Sequence, residues 1–209
     1  MSEQTDRVRQ QLVLGLLRQL HLARMSERFP PRLVLAVFNL VNGGTSIALI
    51  AALALVTGEA FIFPSLGATA FLLFHLPLAE ASSPRNALCG HLVGACCGWL
   101  GLWLFGLAGV PASLTADLDW PRVAAAGVSL GMTSALMVWW RIAHPPAGAT
   151  ALIVSLGLMP AVAQLPVLIG AVAMLTVQAF VLNRLAGIPY PLWRASAGAA
   201  LPTPAPASS

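Results

Sequence analysis

The chain has 209 residues, of which 11 are Arg and seven are Asp or Glu, with no Lys; charged types make up 9% and hydrophobic types 58%. Soluble domains carry about 25% charge and about 45–50% apolar residues, so too little charge is present here to coat one, despite a net charge of +4. The balance excludes a soluble enzyme, a nucleic-acid binder and a secreted disulfide domain, and it implies an integral membrane protein whose first partner is the lipid bilayer.

Residues 1–32 hold nine of the 18 charges, including Arg7, Arg9, Arg18, Arg24, Arg28 and Arg32, and form a first segment outside the hydrocarbon. Within it Val8, Leu12, Leu16, Leu17 and Leu20 share one helical face, the pattern of a helix lying in the headgroup layer. The six arginines ahead of the first long apolar run place the N-terminus in the cytoplasm. Gln11 and Arg18 interrupt the apolar stretch, which argues against a cleavable leader. At the other end, 188–209 is a tail rich in Ala, Pro, Ser and Thr, expected to be largely disordered.

Between them, 33–187 is the membrane region, with only eight charges. Four segments are long enough to cross as ordinary helices, roughly 34–57, 84–109, 122–140 and 167–185. Two further apolar pieces, between Pro64 and Pro77 and between Pro146 and Pro160, are too short to do so as helices alone. Either they are re-entrant half-helices and the chain has four spans, or five extended residues before each (Ala60–Pro64 and Ile142–Pro146) complete a crossing. With six crossings and a cytoplasmic N-terminus, Arg85, Arg141, Arg184 and Arg194 fall inside while Glu59, Asp117 and Asp119 fall outside, Arg122 being the exception. The positive-inside rule therefore favours six.

The two short pieces also resemble each other. Pro64-Ser65-Leu66-Gly67-Ala68-Thr69-Ala70 aligns with Pro145-Pro146-Ala147-Gly148-Ala149-Thr150-Ala151 at an offset of 81 residues, and each piece lies between two long spans. Units of three crossings sit upside down relative to one another. The expected fold is thus all-α, with two inverted three-segment repeats (about 33–109 and 122–187) whose middle segments are broken at proline, the design of secondary transporters. Proline starts each broken helix, and the first N–H groups after it lack intrahelical partners. Those of Leu66, Gly67 and Ala68 and of Ala147, Gly148 and Ala149, with the hydroxyls of Ser65, Thr69 and Thr150, are the candidate ligands for a small anion near the bilayer midplane. Gly67 and Gly148 would leave room for it. Asn42 and Thr45 in the first span and Thr133 in the fourth are candidate further donors. The plain alternative for such small-residue motifs is close helix packing, as for Gly90, Gly94 and Gly98.

The second motif lies in Trp139-Trp140-Arg141-Ile142-Ala143-His144-Pro145-Pro146, Ser83-Pro84-Arg85-Asn86 with Gly90-His91 forms another block, and Phe63–Ala70 a third. In this order the three blocks resemble the HPP family of small integral membrane proteins, over residues of about 30–187. Members in chloroplasts and cyanobacteria are nitrite transporters, so the resemblance implies a small monovalent anion as substrate. It also implies four spans, against the six that charge favours. Where members carry Thr-Arg-Thr before the His-Pro-Pro, this chain has Trp140-Arg141-Ile142-Ala143.

Other residues support gating or structure. His144 is placed to meet an anion or to brace the break, and His91, inside a span, to bond between helices or to line the site. Arg85, Asn86 and Arg141 would cap a helix or shape the cytoplasmic mouth, and Pro64, Pro145 and Pro146 set the breaks. Cys89, Cys96 and Cys97 read as small apolar filler; no metal site, cofactor or enzyme motif is expected. No Asp, Glu or Lys lies in the middle of a span, so a carboxylate relay is not expected either. The reading is a transporter or channel for a small inorganic anion, nitrite first, in a bacterial inner membrane with both termini cytoplasmic. Self-association is left open. The rival is a non-transporting scaffold or assembly protein, favoured if protein side chains fill the space between 64–69 and 145–150 and every N–H there is paired internally.

Overall fold

A proline stands at the first or second position of every helix from the second to the last, where its missing N–H removes no intrahelical bond. The computed structural model describes residues 22–59, 62–112, 118–159 and 161–195, and every regular element among them is helical. In chain order these are α1 (Leu22–Arg28), α2 (Pro31–Thr57), α3 (Pro64–His75), a 3₁₀ turn (Glu80–Ser82), α4 (Pro84–Leu104), α5 (Trp120–Trp139), α6 (Pro146–Ser155), a second 3₁₀ turn (Val162–Gln164) and α7 (Leu165–Leu185). The amphipathic face expected at residues 8–20 and the tail from 196 onward lie outside the described residues.

Side chains and glycine close the helix ends. Asp119 Oδ1 accepts from the Arg122 N–H at 2.9 Å, and the Ser83 hydroxyl accepts from the Asn86 N–H at 3.4 Å, the expected N-terminal caps. Gly58 ends α2 at φ 71°, where its N–H reaches Ala54 O at 2.9 Å. The α5 end departs from this pattern, because Arg141 occupies the left-handed position at φ 52°. Ile142 N–H still reaches back to Met137 O at 2.9 Å. Arg85 donates to the carbonyls of Arg141 (2.9 Å) and Trp140 (3.4 Å), a clasp that offsets the cost of about 1 kcal/mol for a non-glycine residue there. Arg85 and Arg141 thus brace a helix end.

Among the described residues four helices are long and apolar enough to cross a bilayer, Pro31–Thr57, Pro84–Leu104, Trp120–Trp139 and Val162–Leu185. The chain is a multi-pass membrane protein. Helices α3 and α6, with 12 and 10 residues, are about 18 and 15 Å long and fall short of the hydrocarbon thickness of about 30 Å. Of the run 60–64 expected to be extended ahead of α3, Phe63 is extended (φ −119°, ψ 138°), Pro64 already opens the helix, and residues 60 and 61 lie outside the described residues. Ahead of α6 the expected extended run stops sooner, since Pro145 already has helical angles (φ −50°, ψ −37°).

Two sets of contacts define the two ends of the bundle. At one end, Leu22 N–H meets Ala186 O (3.2 Å), Asn183 Nδ2 meets Leu73 O (3.1 Å), the Tyr190 hydroxyl meets Ser82 O (2.5 Å), and Arg85 N–H meets Trp193 O (3.0 Å). The start of α2, the end of α3, the start of α4 and the end of α7 therefore gather there, with the end of α5 held by Arg85. Phe38 of α2 and Phe74 of α3 meet edge-on at 6.0 Å, so α3 runs back toward the start of α2. At the other end, Arg122 brings together the start of α5, the end of α6 and the chain after α4. Its guanidinium donates to Ser155 O (3.3 Å), Val110 O (3.2 Å) and Pro111 O (2.6 Å) while only 2% exposed.

That contact accounts for the one arginine that broke the sidedness pattern. Arg122 is a buried clamp on backbone carbonyls, including the negative pole of α6. Arg122→Ala is expected to cost about 2–4 kcal/mol, from three lost charge-assisted bonds and carbonyls left unpaired. A thermal melt in detergent reads this as a clear fall in Tm, with Arg184→Ala, partly exposed at the far end, as the comparison.

The core centres on α4, which packs on α5, α6 and α7. Gly90, Gly94 and Gly98 face α6: a Cβ on Gly90 would meet His144 Cβ at 2.8 Å, one on Gly94 would collide with Ala147 O, and one on Gly98 would meet Val154 Cβ at 2.6 Å and Ala151 O at 2.7 Å. Gly101 makes the same close approach to Ser129 of α5. The glycine stripe is a packing seam, as its spacing implied. Contacts along it step in the same direction on both helices, so α6 runs parallel to α4.

Candidate functional site at the crossing of two half-helices

Helices α3 and α6 run in opposite directions and overlap by about one turn at their N-terminal ends. Ser65, second in α3, shares a 2.9 Å hydrogen bond with Thr150, fifth in α6; Thr69, sixth in α3, lies 3.2 Å from His144 Nε2, two residues before α6. Each N-terminus therefore lies beside the other helix's second turn, and the two poles pass each other instead of meeting head-on.

His91 of α4 completes the arrangement. Its Nε2 is 2.8 Å from Thr69 Oγ1 and its Nδ1 is 2.7 Å from Thr150 Oγ1. The His91 and His144 rings lie 5.0 Å apart, and His144 Nδ1 donates to Ala81 O at 2.7 Å. Thr69 Oγ1 also reaches Ser65 O at 3.0 Å. Ser65, Thr69, His91 and His144 are 0% exposed and Thr150 1%. Five polar side chains, four from three helices and one from the chain leading into α6, separated by up to 85 residues, thus form one buried cluster without a carboxylate. Burying such groups is costly unless they are bonded, and here each is bonded to another.

Depth differs from the expected midplane position. His91 is the eighth residue of α4, about 10 Å along a helix of about 31 Å, so the cluster lies a third of the way in from the arginine-rich end. Residues next to the cluster fix it from that side. Asn86, itself buried, donates through Nδ2 to Ala143 O at 3.2 Å and so holds the strand of chain leading to His144.

The remaining candidates divide. Leu66, Ala147 and Gly148 do not offer free N–H groups: these donate to Phe63 O (2.9 Å), His144 O (2.9 Å) and Pro145 O (3.0 Å), because the first turn of each half-helix tightens into 3₁₀ form. Gly67, Ala68 and Ala149 are exposed on the outer faces, away from the cluster. A Cβ on Gly67 would meet nothing within 4 Å, whereas one on Gly148 would meet Leu130 Cδ1 at 3.0 Å, the end of a flexible side chain. Asn42 and Thr45 bond within α2, to Phe38 O (2.8 Å) and Val41 O (2.5 Å), and Thr45 is exposed. Thr133 is buried but bonds to Ser129 O at 2.7 Å within α5. Hydroxyls of this kind satisfy the preceding turn of their own helix.

From the sequence, an interhelical hydrogen bond is the favoured role of His91 with the site as the alternative, and Ala81 leaves no signal, because its part is played by a backbone carbonyl that no side-chain pattern reports. A signal for His91 did exist. At the offset that aligns Thr69 with Thr150, His91 falls opposite Val172, so only one copy carries a ring that can reach both threonines. Among the described residues no group of three or more His, Cys, Asp or Glu is placed to hold a metal ion, and all three cysteines are free thiols.

Two apolar half-helices crossing inside a bundle of bilayer-length helices define a polytopic helical membrane protein with a buried polar crossing point. The family model for the HPP transmembrane region matches residues 29–191, most of the chain, and the protein belongs to that family. No curated protein and no solved structure matches it.

Proposed function

We propose that the protein transports a small inorganic monovalent anion across a bacterial inner membrane, with nitrite as the first substrate to try. The observation that carries the reading is the overlap of two proline-started half-helices at a buried cluster of hydroxyls and imidazoles with no carboxylate in it. N-terminal helix turns and O–H and N–H donors favour negative charge, and no acidic side chain competes for them. The direct Ser65–Thr150 bond is the contact that an anion would replace. Its net loss of about 1 kcal/mol is small beside what a desolvated anion gains from several donors. Nitrite is chosen because the family resemblance implies it.

Six crossings arranged as two inverted repeats fit this reading. Support comes from the two ends of the bundle: α2 starts, and α3 ends, at the arginine-rich end, so the chain between them travels out and back. In the second half α5 ends at that end and α6 ends at Arg122, so the lead-in plus α6 traverses the other way. Helix α4 packs on α5 and α6 while α7 packs on α2 and α3, the exchange a pseudo-two-fold produces. Arg24, Arg28, Arg32, Arg85, Arg141, Arg184 and Arg194 belong to the first end, which is then cytoplasmic.

A scaffold without transport is the second reading, favoured by the internally paired N–H groups of Leu66, Ala147 and Gly148 and by side chains filling the crossing. Nitrite uptake into proteoliposomes separates the two. Transport predicts flux well above protein-free vesicles, and a Ser65→Ala, Thr150→Ala double variant that folds normally but loses at least about 90% of it, as two removed donors of about 1 kcal/mol each imply. Vesicles silent toward nitrite, nitrate, formate and chloride alike would leave the scaffold.

A further inference from the structure

One end of the buried cluster has a fixed direction. Ala81 O only accepts, so His144 Nδ1 carries a hydrogen and donates to it. When His144 is neutral its Nε2 is bare and accepts from the Thr69 hydroxyl at 3.2 Å. While Thr69 gives its hydrogen to His144 and not to Ser65 O, the orientation of the rest follows, since each hydroxyl has one hydrogen. In that orientation His91 Nε2–H donates to Thr69 (2.8 Å), His91 Nδ1 accepts from Thr150 (2.7 Å) and Thr150 is left to accept from Ser65; in the structure Thr150 donates to Ser65 (2.9 Å), the opposite orientation of that end. With His144 neutral and Thr69 turned to it, all donors would point from Ser65 toward Ala81.

Adding one proton at Ser65 reverses every member without moving a heavy atom. Ser65 takes the incoming proton and gives its own to Thr150. Thr150 passes its hydrogen to His91 Nδ1, His91 releases the one on Nε2 to Thr69, and Thr69 delivers its hydrogen to His144 Nε2. Four O–H or N–H bonds break and five form, the net gain being one proton, held on His144. His91 has exchanged one neutral tautomer for the other. The Ser65 hydroxyl now points out of the chain as a free donor. Ser65 O, 3.0 Å from Thr69 Oγ1, competes for the Thr69 hydrogen and interrupts the relay while it holds it.

We propose that Ser65, Thr150, His91, Thr69 and His144 form a two-state proton wire between the half-helices, and that its one-proton state is the anion-binding state, making the protein a proton–anion symporter. This rests on the anion-transport reading of the same crossing. The proton places a positive charge at the cluster and frees the Ser65 donor, so both effects strengthen anion binding, and by linkage the anion strengthens proton binding equally. Among the described residues, the charged or titratable groups on the elements around the wire are His75 of α3, Glu80 of the 3₁₀ turn, Arg85, Cys89, Cys96 and Cys97 of α4, Arg122 of α5, Arg141 after it and Arg184 of α7; α6 carries none. His75 stacks on Phe71 at 4.8 Å, Arg85 is engaged with Trp140 O and Arg141 O, and Arg184 with Tyr190 O at 2.8 Å. No carboxylate reaches the wire, so the histidines are its proton store.

Two measurements on the full-length protein in liposomes test this. Solid-state NMR of the histidine ring nitrogens should show His91 changing tautomer over the same pH range in which His144 gains its second proton. Thr69→Val should uncouple the two events and Thr69→Ser restore them. A His91 that keeps one tautomer while His144 titrates overturns the wire whatever the transport result. In vesicles loaded with a pH dye and clamped with potassium and valinomycin, nitrite uptake should acidify the lumen one for one, beyond the protein-free background. It should ignore the membrane potential and rise about tenfold per unit fall in pH, the mass-action dependence on one bound proton. Nitrite flux that follows the potential without acidification overturns the coupling and leaves anion transport standing. Absence of nitrite flux removes the transport reading and symport with it.

Discussion

Gly94→Leu should prevent the bundle from assembling, the largest structural effect expected of any single substitution. Position 94 has no room even for a methyl group, because a Cβ there collides with the carbonyl of Ala147, a backbone atom that cannot rotate away. Overpacking a core typically costs about 1–3 kcal/mol where side chains can yield. Here the seam itself must open, and opening it lifts Ala147, Thr150 and His144 from His91 together. The expected outcome in mild detergent is loss of the monodisperse peak on size exclusion, with Gly94→Ala intermediate. Glycines at which a Cβ meets nothing within 4 Å, Gly67, Gly127 and Gly131, are the controls: alanine there should shift the melt by no more than about 0.5 kcal/mol. A normally folded Gly94→Leu protein would mean that α4 and α6 do not touch along this face.

The largest functional effect is expected at His91. Leucine there keeps much of the bulk but removes both ring nitrogens, so Thr69 and Thr150 lose the group that joins them while the Ser65–Thr150 bond survives. Stability should fall by about 1–3 kcal/mol, the cost of leaving buried hydroxyls short of a partner. Nitrite flux should fall much further, by about 100-fold or more, if the ring is part of the path, since that is a barrier change of under 3 kcal/mol. Parallel measurement of melt and flux gives the answer. Equal, modest losses in both would identify His91 as a brace between the half-helices and favour the scaffold reading.

How much of this was visible in the sequence depends on the kind of evidence each feature left. Proline starts helices by removing an N–H, so the beginnings of α3 and α6 were legible to within a residue, and the glycine seam of α4 was legible from its four-residue spacing. The ends were less so: the span foreseen to residue 109 stops at Leu104, because the left-handed Gly106 and Gly109 that follow it resemble helix packing glycines in a linear reading. Asn42, Thr45 and Thr133 bond back within their own helices, which a linear reading does not reveal, because a polar residue in an apolar helix looks the same whether it faces a partner or bonds its own preceding turn. The donors of Leu66, Ala147 and Gly148 were thought free because a rule for regular α-helix ignores the 3₁₀ tightening of a first turn. Arg122 looked like an error in the charge pattern, and only its carbonyl partners reveal it as a clamp. The cluster itself was half legible. Ser65, Thr69 and Thr150 came from the repeat, whereas the convergence of His91 with His144 depends on α4 and α6 lying parallel in register, which nothing local encodes.

Helix α2 has a consequence for how the protein is made. Of its 27 residues only Val34, Ser46 and Ile50 are buried, whereas α4 hides about half of its length against neighbours. In apolarity α2 and α7 exceed α4, and α5 is the least apolar of the four spans. A helix that keeps most of its surface on lipid can leave the insertion machinery alone, and its arginine-flanked start fixes its direction as it does so. Glycine-rich α4 and short α3 and α6 carry polar groups that lipid tolerates poorly until their partners arrive. The order of synthesis then becomes an order of shelter: α2 enters first as an anchor, and the first-half polar residues Ser65, Thr69 and His91 must wait for His144 and Thr150, translated more than fifty residues later. Until then that half is the natural substrate of membrane chaperones and quality-control proteases.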